Sequence, residues 1–247
     1  HLERPFFVMQ EITGAKAASI LAADPYAPHQ ASIAEQFFGS LGRIAGADVS
    51  KMNLPASFHE PSLDKAWDVA LSHWEKVIDE DELEPQPVAR AVIRWMRRNP
   101  PPPAQKIAFV HGDYRTGNFL YTDDGRIAAI LDWEMAHLGD PLEDLAWALD
   151  PLWAHHNPER PAGLCDRATA IGHWERASGL KADAHALQWW EMFASLKGAA
   201  IWISSAKEYQ KGTNTDPVMA FSGLYCLPYH NRVLADRLAG FARGAAA

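Results

Sequence analysis

The sequence predicts an α+β protein that is mostly helical and carries a small β insert near its middle. Apolar residues recur at steps of three and four along most of the chain, which is the periodicity of helices with one buried face. Between residues 107 and 131 this pattern gives way to three short apolar runs, which are typical of strands. Hydrophobic residues make up 48% of the 247 residues and charged residues 22%, which indicates a folded globular chain rather than a disordered one.

The N-terminal part is predicted to contain one strand and three helices. Residues 5–12 form an apolar run rich in Phe, which predicts a buried strand that ends near Thr13 and Gly14. Residues 31–45 predict the first helix, and residues 88–98 predict the third, which ends before a run of prolines because proline cannot continue a helix. The second helix is predicted from an apolar stripe at helical spacing, formed by Leu63, Trp67, Leu71, Trp74 and Ile78.

The β insert is predicted from apolar runs at residues 107–110, 119–121 and 127–131. An Asp-Asp-Gly turn at residues 123–125 separates the last two runs, so we expect these to form a hairpin. The loops at the ends of these strands carry most of the polar residues that suggest a function.

The C-terminal part is predicted to be helical throughout. Asp140 followed by Pro141 predicts a helix start, because Asp suits the N-cap and Pro the first helical position. Three further helices are predicted at residues 166–178, 183–210 and 228–242. The most apolar long segment within them is interrupted by Gln188, Glu191 and Lys197, so it predicts a buried helix rather than a membrane span.

Charge and cysteine content narrow the class of protein. The formal net charge of −8 argues against a nucleic-acid partner or an anionic membrane, since both favour a basic surface. The two cysteines, Cys165 and Cys226, are too few and too far apart for a disulfide framework or a zinc site. No basic segment followed by an apolar core marks a secretion signal, so we expect a reduced, cytoplasmic protein of unspecified oligomeric state.

One motif carries most of the functional information. The sequence HGDYRTGN occupies residues 111–118, and ILDWE occupies residues 130–134. Asp113 and Asn118 are five positions apart, and Asp132 follows fourteen positions after Asn118. An Asp, an Asn five positions later and a second Asp form the pattern with which kinases hold an acceptor hydroxyl and a magnesium nucleotide. Asn118 and Asp132 offer the oxygen ligands that Mg²⁺ prefers, and Asp113 remains to orient the hydroxyl and collect its proton late.

Residues next to the motif receive secondary roles. We expect His111 to be structural, because a histidine in such a loop usually packs beneath the site and bonds the backbone. Glu134 is a candidate ligand of a second metal ion or of the substrate. Arg115 is a candidate to contact a phosphate or another acid, with a solvent-exposed arginine as the alternative. Asp144 is positioned to brace the loop from below, with an ordinary exposed helix acid as the alternative.

The segments VHGDYRTGNFL and ILDWEMAHLGDPLEDLAW together resemble the aminoglycoside phosphotransferase (APH) superfamily of small-molecule kinases. Within that superfamily, the sequences of the two segments resemble those of the phosphotransferase domains found beside some acyl-CoA dehydrogenases, and those of free-standing bacterial relatives. The resemblance implies a protein-kinase-like fold, in which a small N-terminal β lobe and a larger helical lobe hold ATP between them. It implies that Asp113 is the catalytic aspartate and that Asn118 and Asp132 are the magnesium ligands.

The resemblance also implies where the nucleotide base binds. Residues 6–12 look like the strand and hinge that join the two lobes. The main chain of Gln10 and Ile12 then pairs with adenine, and Met9 lies behind the ring. ATP and Mg²⁺ are the cofactors implied, and a small molecule with a hydroxyl group is the expected substrate.

This chain departs from the family pattern at its start. No glycine-rich loop and no phosphate-gripping lysine precede the hinge, so we expect most of the N-terminal lobe to be missing. Residues 1–14 then represent the end of that lobe and the hinge, and residues 15–247 the helical lobe. The short interval between Asp132 and Asp140 leaves no room for the activation loop of a protein kinase, which favours a small-molecule acceptor.

Two alternatives remain open from the sequence. The missing lysine is compatible with a non-catalytic binding module, either a pseudokinase or an isolated lobe. The order His-x-Asp can also supply metal ligands, as in a metal-dependent hydrolase, although Asn118 then has no role.

Overall fold

The structure, a computed structural model, describes residues 9–19 and 21–244, with side chains up to residue 241. Eight α-helices occur in that part of the chain: α1 (Gln30–Gly46), α2 (Ala66–Asp81), α3 (Pro87–Arg98), α4 (Leu142–Ala148), α5 (Arg167–Ser178), α6 (Ala184–Lys211), α7 (Pro217–Phe221) and α8 (Leu227–Gly244). The strands are β1 (Ala15–Lys16), β2 (Ala108–Val110), β3 (Phe119–Thr122), β4 (Ile127–Ile130) and β5 (His137–Gly139). The predicted α+β class with a small β insert is therefore confirmed.

The predicted starts of α5 and α6 agree with the structure, and that of α4 agrees to within one residue, because their signals are local hydrogen bonds. Asp166 accepts a bond from the backbone N–H of Thr169, and Asp183 accepts one from Ala186, at the starts of α5 and α6. The Asp140 carboxylate accepts the N–H of Leu142 at 2.9 Å, at the start of α4. Each bond satisfies a donor that has no partner within its helix.

Two predictions in the N-terminal part are wrong. Residues 9–12 are exposed and have no regular secondary structure, although residues 5–12 were predicted to be a strand. Residues 5–8 lie outside the described residues. Leu63 precedes α2 and is 45% exposed, because Ser62 and Asp64 form a local polar turn and the helix begins only at Ala66.

The strands form two small antiparallel sheets. One has the order β1-β3-β4, and the other pairs β2 with β5 so that Val110 lies opposite His137. The strands β1 and β5 were not predicted, because two or three residues show no alternation of apolar and polar side chains. Helix α1 supports the hairpin, since Gln36 accepts the N–H of Ile127 at 2.9 Å and donates to the carbonyl of Gly125 at 2.8 Å.

Helix α6 lies at the centre of the helical part. It packs against α2, α3, α4 and α8, and its residues from Ala186 to Ile203 are mostly buried. Among the described residues, no helix combines the length and apolar character needed to cross a membrane. The central position of α6 brings its single buried charge, Lys197, beneath the loop that joins β2 to β3.

Candidate active site

The loop of residues 111–118, here called the site loop, leaves β2 through a left-handed glycine. Gly112 has a φ of 86°, and a Cβ at this position would collide with the carbonyl oxygen of Met135. The backbone N–H groups of His111 and Gly112 donate to the two carboxylate oxygens of Asp144, at 2.6 and 2.9 Å. Asp144 therefore braces the site loop from α4, as the sequence predicted.

His111 is fully buried, and both of its ring nitrogens are hydrogen-bonded to backbone groups. Its Nδ1 accepts the N–H of Asp113 at 3.1 Å, so Nε2 carries the proton and donates to the carbonyl of Leu131 at 2.8 Å. The imidazole thus joins the site loop to the end of β4. This agrees with the structural role expected from the sequence and leaves neither nitrogen free as a metal ligand.

Asp113 is buried, and three side chains hold its carboxylate. The Trp147 indole N–H donates to Oδ1 at 2.8 Å, and the Asn118 amide donates to Oδ2 at 2.6 Å. The Nε of Arg115 bonds both oxygens at longer distances, 3.2 and 3.1 Å. The orientation of the carboxylate is therefore fixed before any ligand arrives.

Asn118 and Asp132 come together through the pairing of β3 with β4. The carbonyl of Asn118 accepts the N–H of Leu131 at 2.8 Å, and Asp132 is the next residue. Asp132 is exposed and has a φ of 66°, which is uncommon for a residue other than glycine and costs on the order of 1 kcal/mol. Positive φ values outside glycine cluster at functional sites, where a side chain is aimed at a ligand.

The donor set fits a magnesium nucleotide better than a metal held by the protein alone. The Asn118 amide nitrogen faces Asp113, so its oxygen remains for another partner, and the Asp132 carboxylate is open to solvent. Mg²⁺ is usually held by one or two carboxylates together with phosphate oxygens and waters. Within residues 9–19 and 21–244, no three His, Cys, Asp or Glu side chains are grouped so that they could hold a metal ion.

The structure places the two secondary candidates on different sides of the site. The Arg115 guanidinium bonds Asp113 and stacks on Trp153 at 4.9 Å from the ring centroid, so it contacts another acid, one of its expected partners. Glu134 is exposed and lines a cavity beside the site loop. Met9, Gln10 and Ile12, expected at the adenine, lie in the exposed segment before β1, and their role stays a prediction.

The cavity has a volume of about 740 Å³ and lies between α2 and the segment that follows Asp132. Its walls are mainly apolar and aromatic, with Phe58, Trp74 and Trp133 among the lining residues. Glu134 and His137 contribute polar groups. Trp133 also packs on His111, with ring centroids 4.4 Å apart, so the cavity and the site loop share a wall.

A second network ties the far side of the site loop to the segment before α1. The Thr116 hydroxyl bonds Nε2 of His155 at 2.8 Å and also the Tyr26 hydroxyl, while His155 Nδ1 bonds the carbonyl of Ala22 at 2.8 Å. Burial lowers the pKa of His155, so the neutral imidazole is favoured. These bonds anchor the half of the loop that carries Arg115.

Sequence reasoning missed three residues that support the site: Trp147, Glu143 and Lys197. Trp147 and Glu143 lie in α4, within the motif that predicted the fold, but their contacts with the site depend on how α4 packs. The signal for Lys197 was present as a lone charge in the most apolar segment of the chain. A lysine at such a position must find partners in the interior, because leaving its charge unpaired there is costly.

Comparison with known proteins gives the family. The family model described as the phosphotransferase enzyme family, APH, matches residues 1–180. The chicken (Gallus gallus) acyl-CoA dehydrogenase family member 11 is 27% identical over 144 residues. That match covers 58% of this chain but only 18% of the longer relative.

Solved structures of low sequence identity share the fold. A Ralstonia eutropha protein assigned as an aminoglycoside phosphotransferase superposes with a TM-score of 0.76 at 19% identity, covering 94% of this chain and 72% of that one. A choline/ethanolamine kinase family protein from Mesorhizobium loti gives 0.56 at 16% identity, with 92% and 67% coverage. At these identities the likeness shows the fold alone, which is the kinase-like fold implied by the sequence motif.

Proposed function

The chain belongs to the APH phosphotransferase enzyme family, and on that premise we propose that it is an ATP-dependent small-molecule kinase. It transfers the γ-phosphate of ATP to a hydroxyl group of its substrate. One observation carries this proposal: the Asp113 carboxylate bonds the Asn118 side chain at 2.6 Å, and the Asn118 backbone bonds the residue before Asp132. These three residues are the acceptor-orienting and metal-binding groups of a phosphoryl-transfer site.

The roles follow from the chemistry of each group. Asp113 accepts a hydrogen bond from the substrate hydroxyl, whose oxygen forms a bond to the γ-phosphorus while the bond to the bridging oxygen of ADP breaks. The hydroxyl proton passes to the Asp113 carboxylate. Asn118 and Asp132 would hold Mg²⁺, which would neutralise charge on the phosphate oxygens. Met9, Gln10 and Ile12 are proposed to contact the adenine.

We propose that the acceptor hydroxyl replaces Arg115 as a hydrogen-bond donor to the Asp113 carboxylate. The bonds of Arg115 to Asp113, at 3.1 and 3.2 Å, are longer than those from Asn118 and Trp147. Its side chain is also partly exposed and stacks on Trp153, so the guanidinium can turn towards solvent without becoming buried itself. The Asp113 carboxylate then keeps its two buried donors and gains one from the substrate.

The cavity beside the site loop is the proposed acceptor site. The segment from Trp133 to Gly139 that lines it begins directly after Asp132, and Met135 packs against Gly112. Aromatic walls suit the apolar part of a substrate, and Glu134 offers a group for its polar part.

The test is an ATP-consumption screen over hydroxylated small molecules, including amino alcohols, sugars and hydroxy acids. We expect one class to raise ADP formation above the rate without acceptor. Asp113→Asn is expected to lower that rate by roughly 10²- to 10⁴-fold, the usual contribution of a positioned acid–base group. Asp123→Asn is the control, because Asp123 lies in an exposed turn and its side-chain partner among the described residues is the surface residue Lys16. Unchanged turnover in Asp113→Asn would contradict the proposal.

A further inference from the structure

Lys197 is a charged side chain in the middle of α6 that the proposed chemistry does not use. It is 1% exposed, and its ammonium group donates to the carbonyl of Gly112 and to Oε1 of Glu143, the latter at 3.2 Å. It lies between two indole rings, 5.7 Å from the centroid of Trp74 and 5.4 Å from that of Trp147. These four contacts are with groups of the site loop, α2 and α4.

Glu143 connects this lysine to the cavity wall. Its side chain is 2% exposed, and its Oε2 bonds Nε2 of His137 at 3.1 Å. Burial alone would raise the pKa of Glu143, but the positive charges of His137 and Lys197 outweigh it and hold the pKa at about 2. Burial likewise opposes protonation of His137, yet the Glu143 carboxylate raises its pKa above the usual value. Lys197, Glu143 and His137 form what we call the buried charge cluster.

Stability alone does not explain such a cluster. Two charges taken from water lose about as much hydration as they regain by pairing, and apolar residues of similar size often serve equally well. Buried polar groups are retained in some proteins because they specify one geometry among several. The geometry specified here is that of Gly112, whose N–H is held by Asp144 while its carbonyl is held by Lys197.

The residue that follows Gly112 is Asp113, the catalytic aspartate. Lys197 also approaches Asp113 by a second path, because it packs on Trp147, whose indole N–H donates to the Asp113 carboxylate at 2.8 Å. Both the backbone that carries Asp113 and one donor to its carboxylate are thus in contact with Lys197. His137 extends the same network to β5 and the proposed acceptor cavity.

We propose that Lys197 is a positioning residue for the catalytic aspartate, Asp113, and that it acts through the Gly112 carbonyl and the Trp147 ring. Glu143 and His137 stabilise the charge of Lys197 in the interior. This inference rests on the proposed function, since it assigns Lys197 to the placement of Asp113. It predicts that removing the cluster loosens the site loop selectively.

The deciding variant is the double substitution Lys197→Met/Glu143→Met. Either single change leaves one buried charge unpaired and can prevent folding. The double change removes the charges of both Lys197 and Glu143 and keeps the side-chain volumes similar. Lys207→Met is the matched control, because Lys207 lies on the same helix and pairs with Asp81 of α2 near the surface.

The first measurement is amide hydrogen exchange of the full chain. We expect the N–H groups of residues 111–113 to exchange about tenfold faster in the double variant, as for the loss of one restraining hydrogen bond, while α5 keeps its protection. The control should match the wild type at both places. Unchanged exchange at residues 111–113, or an equal increase in α5, would overturn the proposal.

The second measurement is the steady-state rate of ATP consumption with the acceptor found in the screen, or with water alone if none is found. A misplaced acid should lower kcat by about tenfold or more and leave the KM for ATP unchanged, because Lys197 contacts neither proposed metal ligand. A raised KM with an unchanged kcat would contradict the proposal. If Asp113→Asn leaves turnover intact, the kinase assignment itself fails, and hydrogen exchange still decides whether Lys197 holds the site loop.

Discussion

Gly112 is the residue whose backbone decides where Asp113 points. Its φ of 86° is in the left-handed region, and its missing Cβ leaves space for the carbonyl of Met135. Gly112→Ala should therefore lower the free energy of unfolding by roughly 2 to 4 kcal/mol, the sum of backbone strain and overpacking. Urea denaturation measures this loss.

The control for this substitution is Gly240→Ala in α8. No atom lies within 4 Å of a Cβ added at Gly240, and alanine favours a helix interior over glycine by about 0.5 to 1 kcal/mol. The control should therefore be as stable as the wild type or slightly more so. Equal unfolding curves for Gly112→Ala and the wild type would show that the loop does not depend on this glycine.

At the residue scale, spacing in the sequence singled out Asp113, Asn118 and Asp132 as candidates, and the structure joins the side chains of Asp113 and Asn118 by a hydrogen bond. The spacing could not identify Trp147 and Lys197 as their supports. The contact of Lys197 with Gly112 spans 85 positions and exists only because α6 packs beneath the site loop. Charge and polarity in a sequence reveal which residues need a partner, but the partner depends on tertiary packing.

Helix α4 contributes Glu143, whose buried carboxylate makes stability depend on pH. Its pKa is about 2 in the folded state and about 4.5 when exposed, so ionised Glu143 stabilises the fold above pH 4.5. That stabilisation, roughly 3 kcal/mol, is lost as the pH falls from about 4.5 towards 2. Glu143→Gln should remove this slope in the free energy of unfolding.

The measurement is the difference between variant and wild type in urea denaturation at pH 5, 4 and 3. Asp140 acts with the opposite sign, because burial raises its pKa from 3.8 to about 6 and stability falls as the pH rises towards that value, in a range that overlaps the range of Glu143 near pH 4. Subtracting the two proteins removes the part of the Asp140 contribution that does not depend on Glu143. Glu80→Gln, on the exposed face of α2, should track the wild type. A variant slope equal to that of the wild type below pH 4.5 would refute the role assigned to Glu143.

At the element scale, the helix starts were predictable and the strand partners were not. Asp166 and Asp183 cap their helices, and Asp140 bonds the first residue of α4 from just before its N-cap Pro141. These bonds all lie within three residues, so the sequence contains the whole signal. The strand β5 is three residues long and exists because β2 offers it a partner. The exposed residues 9–12 show the reverse case, an apolar sequence that has no partner strand among the described residues.

At the scale of the whole molecule, separate elements hold the site loop without a ligand. Helix α4 bonds it through Asp144, α6 through Lys197, and the end of β4 through His111. Such a preorganised loop should bind MgATP with little rearrangement. At an ATP concentration about 100 times the Kd, binding contributes about 2.7 kcal/mol and should raise the Tm by roughly 5 to 10 °C.

Thermal denaturation with and without EDTA measures this effect. Chelation of Mg²⁺ should abolish the increase in Tm, and Asn118→Ala/Asp132→Ala should do the same at saturating Mg²⁺. An increase in Tm that is indifferent to EDTA would contradict the roles of these two residues. A magnesium-dependent increase without turnover of any hydroxylated compound would identify a binding module rather than an enzyme.

The most direct test of the metal-nucleotide site uses Mn²⁺ in place of Mg²⁺ with a non-hydrolysable ATP analogue. Paramagnetic relaxation of the backbone amide signals reports which residues lie nearest the ion. We expect the strongest broadening at Asn118 and Asp132, weaker broadening at Asp113, and none in α8. Unaffected signals at Asn118 and Asp132, with broadening elsewhere in the chain, would contradict a phosphoryl-transfer site at the end of β4.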